Sequence, residues 1–505
     1  MGCGTSIATE PQSKAAGTDE AARNPSPALT MKAAILIQGW YRRYMARLEM
    51  RRRYTWNIFQ SIEYAGEQDQ LQLSGFFSFM LDNFTHLNSS GPDLISQLLV
   101  DPWLGRDTCH QLIPVAESYS GPRISFPLSV SHTDALLTAF KEHQILHASY
   151  ALQLLWETKK LLKQMPNIVH MSTSYAKEIT ICGDLHGHLD DLLLIFYKNG
   201  LPSADTPYVF NGDFVDRGKQ SMEVVLLLFA YLLLYPNHMH LNRGNHEDHI
   251  MNLRYGFTKE VMQKYKTHGR ELLQLFQDVF SLLPVATVID SKVLVVHGGI
   301  SDQTDLDFLN SIERHKVKSA LRLPRHSVQQ LDVSRPYKQT TSSLRSADSH
   351  CHRWLRPIVD VLWSDPKPQE GCSPNTFRGG GCYYGPDVTR RLLLHHGYQL
   401  LIRSHECKQE GYEICHGGHV ITIFSASNYY EEGSNRGAYV KLGPDLVPRF
   451  YQYQVSRTTR KLTLTQRVRV AEGSALRALQ EKLFSHRSEL LTGFLQHDHN
   501  NTGSL

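Results

Sequence analysis

The sequence predicts an α/β (α+β) fold, and three observations lead to it. From Glu178 onward, short apolar strands each run into a loop: E-I-T-I-C before residue 183, Y-V-F-N before 212, M-H-L-N before 243 and V-L-V-V before 297. The first two strands are followed by helical runs, D-D-L-L-L-I-F and S-M-E-V-V-L-L-L-F, which makes a β-α-β-α opening. Polar residues able to bind metal collect on the loops that follow these strands, where α/β folds gather their ligands. Later apolar runs, around Val420 to Ser425 and Ala438 to Lys441, follow hairpin-like turns and predict antiparallel additions.

At 505 residues the chain exceeds the usual single-domain size, so one large core with flanking segments is expected. A formal net charge of +4 is too small for this length to argue for a nucleic-acid partner. The eight cysteines contain no C-x-x-C pair, which argues against structural zinc and a disulfide framework and points to a reducing compartment. No apolar run approaches the roughly 18 residues that span a bilayer, and the run from Val224 is too short. With no secretory leader pattern, a cytoplasmic location is expected.

The flanks carry signals of their own. The opening M-G-C-G-T-S fits N-myristoylation of Gly2 and offers Cys3 for a second acyl chain, which would hold the protein on the inner face of a membrane. Residues 1–28 are otherwise small and polar and read as a disordered spacer. Residues 29–55 form a basic amphipathic helix in which Ile37, Gln38, Arg42, Arg43 and Arg47 resemble the IQ motif that binds calmodulin. The alternative for that helix is a surface lying on anionic lipid or on the chain's own catalytic domain. Residues 56–170 make a linker and a helical region before the catalytic domain, with one long helix expected from Thr133 to about Gln164, ahead of Pro166. Within a catalytic domain over 171–455, the polar segment 314–353 reads as a loop insertion. The tail 456–505 is expected to be helical. It ends on Asp498, Asn500 and Thr502, spaced like the first ligands of an EF-hand loop whose bidentate glutamate is absent, so tight Ca²⁺ binding by this chain is not expected.

Five motifs carry the chemistry: G-D-L-H-G at 183–187, G-D-F-V-D-R-G at 212–218, R-G-N-H-E at 243–247, V-H-G-G at 296–299 and R-S-H-E at 403–406. They present Asp184, His186, Asp213, Asn245, His297 and His405, a mixture of carboxylate, imidazole and carboxamide that suits a pair of hard to borderline divalent metals. Asp216 and His246 stand beside them, where an acid and its orienting carboxylate would be useful.

In this order and spacing the motifs resemble the metal-dependent serine/threonine phosphatases of the PPP family. L-W-S-D-P at 362–366, the R-G-G-G run at Arg378 and S-A-S-N-Y at 425–429 add to the likeness, with Ser427 where the family usually has Pro. Taken with both flanks, the chain resembles the phosphatases with EF-hands, of the retinal degeneration C type, in a C-terminally shortened form.

The resemblance implies a calcineurin-like metallophosphoesterase fold of two packed β-sheets flanked by helices, with helical extensions at both ends. It also implies two divalent metals, Mn²⁺ in vitro with Fe or Zn as alternatives. Asp184 and His186 would hold one, Asn245, His297 and His405 the other, and Asp213 would bridge. Arg217 and Arg378 would bind phosphoryl oxygens, His246 oriented by Asp216 would act as general acid, and Tyr429 would line the site. Substrates would be phosphoproteins and the regulator calmodulin. Two alternatives remain: a nucleotide or diester esterase on the same fold, and a membrane-tethered calmodulin adaptor with weak catalysis.

Overall fold

Very short strands buried on both faces build two sheets around a shared interior. The structure, a computed structural model, describes residues 31, 32, 34–47 and 50, residues 113–321 except 176 and 177, and residues 355–455. The chain divides into two units, Met1–Ile58 and Phe59–Leu505. In the first, residues 34–47 are helical, as their three- and four-residue apolar spacing predicts. Ile35, Leu36, Ile37, Trp40 and Tyr44 of this helix are exposed, and Trp40 stacks on Tyr44 with centroids 5.5 Å apart.

In the second unit, β1 (Ile168–Met171), β5 (Ala286–Ile289), β6 (Val293–Val296), β10 (Leu400–Arg403), β12 (Val420–Ile423) and β11 (Tyr412–Cys415) lie side by side in that order. A second sheet runs β14 (Pro448–Tyr453), β13 (Gly437–Leu442), β2 (Ile179–Cys182), β3 (Tyr208–Phe210) and β4 (Met239–Leu241). Successive side chains on a strand point to opposite faces. Ile179, Ile181, Val209 and Val440 of one sheet therefore meet Val293, Val295, Ile402 and Ile421 of the other. The alternate residues, such as Tyr208, Phe210 and Leu294, pack outward against helices. The result is the expected pair of packed sheets with helices outside. A small third sheet joins β7 (Asp365–Pro366), β9 (Cys382–Tyr384) and β8 (Cys372–Pro374).

The apolar run from Val224 falls in the helix Ser221–Leu234, where Leu226, Leu227, Leu228 and Phe229 are all buried. It has protein on every side, and truncating any of these leucines to Ala would cost about 2–5 kcal/mol. No helix among the described residues is long and apolar enough to cross a membrane.

Three expectations need correction. The long helix from Thr133 is two helices, Val130–Lys141 and Ala148–Gln164, separated where His143 takes a left-handed conformation (φ 58°). His147 opens the second by accepting from Ser149 N, and the chain turns extended at Met165 before Pro166. The segment expected to loop out from 314 is anchored at its start: the buried Arg314 guanidinium donates to the carbonyls of Leu162, Met165 and Leu282 and to Asn167 Oδ1. Residues 314–321 thus belong to the folded body, and 322–354 lie outside the described residues. Finally, β12 is antiparallel to β11 but parallel to β10, whereas β13 is antiparallel to both its neighbours, as expected.

Candidate active site

Asp184 follows β2, Asp213 follows β3, Asn245 and His246 follow β4, His297 follows β6 and His405 follows β10. The two sheets bring these loops to one rim, where Asp184 bridges to Phe424 beyond β12. Sharp turns aim the side chains: His186, Asp213, Asp216, Arg217 and His405 all have positive φ, a conformation that L-residues keep only when their surroundings hold it. Gly212 is needed at φ 88°, and a Cβ there would come within 2.5 Å of Gly244 Cα.

The cluster is buried and crowded with acceptors. His186 Nδ1 donates to Val215 O (3.0 Å) and His297 Nδ1 to Asn211 O (2.8 Å), which leaves each Nε2 with a lone pair. These Nε2 atoms face carboxylates, His186 at 3.7 Å from both Asp184 and Asp213, and His297 at 3.3 Å from Asp213. The Asn245 amide lies 2.9 Å from His297 Nε2. His405 Nε2 is buried with no hydrogen-bond partner among the described residues.

Burial pushes the Asp184 carboxyl up to about 8, with the Asp213 charge adding to it. Asp213 is likewise pushed up to about 8 by burial. Burial first holds the His186, His297 and His405 imidazoles below their ordinary value. Lone pairs facing carboxylates in a dry pocket repel one another unless a cation lies between them, so this donor set fits divalent metal. By distance, two groups could each hold an ion, His186 with Asp213 and His246, and Asp213 with His297 and His405; both include the residue expected to bridge.

His246 is set apart from the other histidines. Its Nδ1 lies 2.8 Å from Asp216 Oδ2, and Asp216 also accepts from Asn252 Nδ2 (3.0 Å) and Phe257 N (2.9 Å). The Arg217 guanidinium stands 4.3 Å from the Tyr255 ring and 5.7 Å from that of Tyr429, which in turn lies 5.2 Å from His186. Arg378 Nε is 2.5 Å from Asp365 Oδ2, and its Nη2 donates to His405 O at 3.2 Å. All eleven catalytic and metal residues singled out in the sequence therefore gather in one place.

Sequence reasoning missed the braces. Glu247, inside a quoted motif, accepts from the amides of Asp213, Phe214 and Gly244 and so shapes the loop carrying Asp213. Asp365, in the L-W-S-D-P motif, joins Arg378 to the buried Arg403. Asn252 and Tyr255 follow no motif, and only the folded chain reveals them. Ile37, Gln38, Arg42, Arg43 and Arg47 lie on the N-terminal helix, while Gly2, Cys3, Asp498, Asn500 and Thr502 are outside the described residues.

The sequence matches the calcineurin-like phosphoesterase family over residues 177–409 and the PPP5 TPR repeat region over 106–170. It is 54% identical over 489 residues to human serine/threonine-protein phosphatase with EF-hands 1, covering 94% of this chain and 75% of that protein. To the Drosophila melanogaster serine/threonine-protein phosphatase rdgC it is 43% identical over 478 residues, covering 94% and 69%. Among solved structures, a Saccharomyces cerevisiae protein serine/threonine phosphatase with similarity to human PP5 superposes with a TM-score of 0.55 at 28% identity, covering 65% of this chain and 97% of that one. Fold and site thus define a calcineurin-like phosphoesterase. The chain belongs to the family of serine/threonine-protein phosphatases with EF-hands.

Proposed function

We propose that this phosphoprotein phosphatase hydrolyses phosphoserine and phosphothreonine esters with His246 as the general acid, under the control of calmodulin at residues 37–47. The observation that carries the catalytic reading is the 2.8 Å contact of His246 Nδ1 with a buried, triply bonded Asp216, beside a pocket of metal-seeking acceptors. Asp184 and His186 would hold one divalent ion, Asn245, His297 and His405 a second, with Asp213 between them. When bound, such a pair supplies a water of lowered pKa and positive charge for the phosphoryl oxygens.

The chain's own groups do the rest. Arg217 and Arg378 orient the phosphate, and their fixed forks suit its geometry. Asp216 holds the His246 ring so that Nε2 points at the leaving serine or threonine oxygen and donates its proton there. Burial, and then the charges of Arg217, His297 and Arg378, hold the His246 imidazole well below its ordinary value. A phosphate dianion on those arginines offsets their charge and lets Nε2 carry the proton. Tyr429 closes the side of the pocket next to His186 and Arg217.

Phosphate release from a phosphothreonine peptide tests this reading, with the protein stripped by chelator and then given Mn²⁺. Turnover should vanish on stripping and return with metal. A folded, Mn²⁺-loaded chain that releases no phosphate would favour the adaptor, and one that cleaves only diesters or nucleotides would favour the esterase. Acylation at Gly2 and Cys3 would add a membrane address on the cytoplasmic side, which myristate labelling of wild type against Gly2→Ala decides.

A further inference from the structure

Asp191 is buried in the first turn of the helix Leu189–Asn199, and no lysine or arginine among the described residues pairs with it. A buried carboxylate is costly unless hydrogen bonds satisfy it. Its oxygens are met by one residue 236 positions away: Ser427 N donates to Oδ2 at 3.0 Å and Ser427 Oγ to Oδ1 at 2.6 Å. His188 Nδ1 lies 3.4 Å from Oδ2. The same Ser427 hydroxyl accepts from Val455 N (3.1 Å), two residues beyond the end of β14, and from Asn428 Nδ2 (3.3 Å).

Asn428 sits at φ 53° and also donates from Nδ2 to Val455 O (2.7 Å), while its Oδ1 accepts from Gly433 N (2.7 Å) and Gln454 Nε2 (3.0 Å). Tyr429 comes next, its N donating to Asn435 Oδ1 (2.8 Å) and its ring beside His186 and Arg217. A proline at 427 would offer neither the N–H nor the hydroxyl, so this junction depends on the serine found here.

We propose that Asp191 and Ser427 form a latch that positions Tyr429 over the phosphate pocket and ties its placement to the backbone at Val455. Both are positioning residues: among the described residues their side-chain hydrogen bonds reach neither the phosphate arginines nor the proposed metal ligands, and they act through Tyr429. The inference rests on the phosphatase reading above for its kinetic consequence, and on geometry alone for the latch. A displacement of the chain at Val455 withdraws a donor from Ser427 Oγ, loosens the turn at Asn428 and shifts the Tyr429 ring against Arg217. The effect falls on substrate affinity more than on the chemical step, because His246 and Asp216 are held by other elements.

The test uses the full Mn²⁺-loaded chain and a phosphothreonine peptide, comparing wild type, Ser427→Ala, Asp191→Asn, Tyr429→Ala and the Ser427→Ala/Tyr429→Ala double variant. Ser427→Ala should raise KM about fivefold or more with kcat within about twofold, and should add no further rise once Tyr429 is Ala. Multiplying effects in the double variant, or an unchanged KM, would overturn the proposal. Hydrogen exchange read on the same proteins should quicken at 428–430 and at 454–455 while β2 and β3 stay protected; unchanged exchange at 428–430 also overturns it. If wild type turns over no phosphopeptide, it is the function proposed above that has failed, and exchange alone decides the latch. If Ser427→Ala does not fold, Asp191→Asn, which keeps the side-chain size, carries the same two readouts.

Discussion

Asp216 is held by three donors, yet burial still pushes its carboxyl up to about 7. In the proposed reaction its role is to orient His246, so Asp216→Asn should lower kcat by about 100-fold, with KM changed less than about threefold. Steady-state kinetics on a phosphopeptide checks this, and a loss confined to KM would contradict it. The ligand carboxylates give a second residue-scale prediction. Asp184 and Asp213 are pushed up to about 8, above the ordinary carboxylate value, so below pH 8 the metal-free folded chain holds protons that metal must displace. Metal affinity should therefore fall as pH drops from 8 to 6, by roughly tenfold per pH unit for each carboxylate. Calorimetric titration with Mn²⁺ reads it, and pH-independent binding would count against these ligands.

Elements were legible where chemistry sits on short strands. E-I-T-I-C and V-L-V-V announce buried strands because nearly every residue must be apolar, and the motif after each must carry fixed residue types at fixed offsets. The interruption at His143 was not legible, since Leu136, Leu137, Ile145 and Leu152 keep a helical rhythm across it. Nor was the anchoring of Arg314, whose partners include carbonyls from two distant segments, at 162–165 and at 282. The second sheet and the Asp191–Ser427 contact lie in the same category: they join positions hundreds of residues apart, and periodicity is local.

That anchor supplies a prediction. Arg314→Met leaves three carbonyls and Asn167 Oδ1 without their donor, and should destabilise the chain by about 3–5 kcal/mol in urea unfolding, with little change in KM. A change under about 1 kcal/mol would refute it. In β4, burial lowers the His240 imidazole to about 4, beneath its unfolded value. The unfolded chain thus binds more protons there, so stability is intact above pH 6.5 and lost as pH falls toward 4. About 2 kcal/mol should disappear between pH 7 and pH 5, and His240→Leu should remove that part of the slope.

At the scale of the whole molecule, the N-terminal helix carries Ile37, Trp40 and Tyr44 exposed among arginines, a face suited to an acidic, apolar-grooved partner. Ile37→Asp with Arg42→Glu should abolish calmodulin binding in a pull-down and leave basal turnover within about twofold; unaltered binding would shift the motif to a lipid or internal role. In the proposed reaction one buried histidine protonates the leaving group of a metal-dependent phosphatase. The most direct measurement compares His246→Asn with wild type on two Mn²⁺-dependent substrates, a phosphoserine peptide, whose alkoxide needs a proton, and p-nitrophenyl phosphate, whose phenolate does not. For the variant, kcat should fall by about 100-fold or more on the peptide and by less than about tenfold on the aryl ester. Equal losses on both would contradict it, making His246 a ligand or a structural residue instead of the acid.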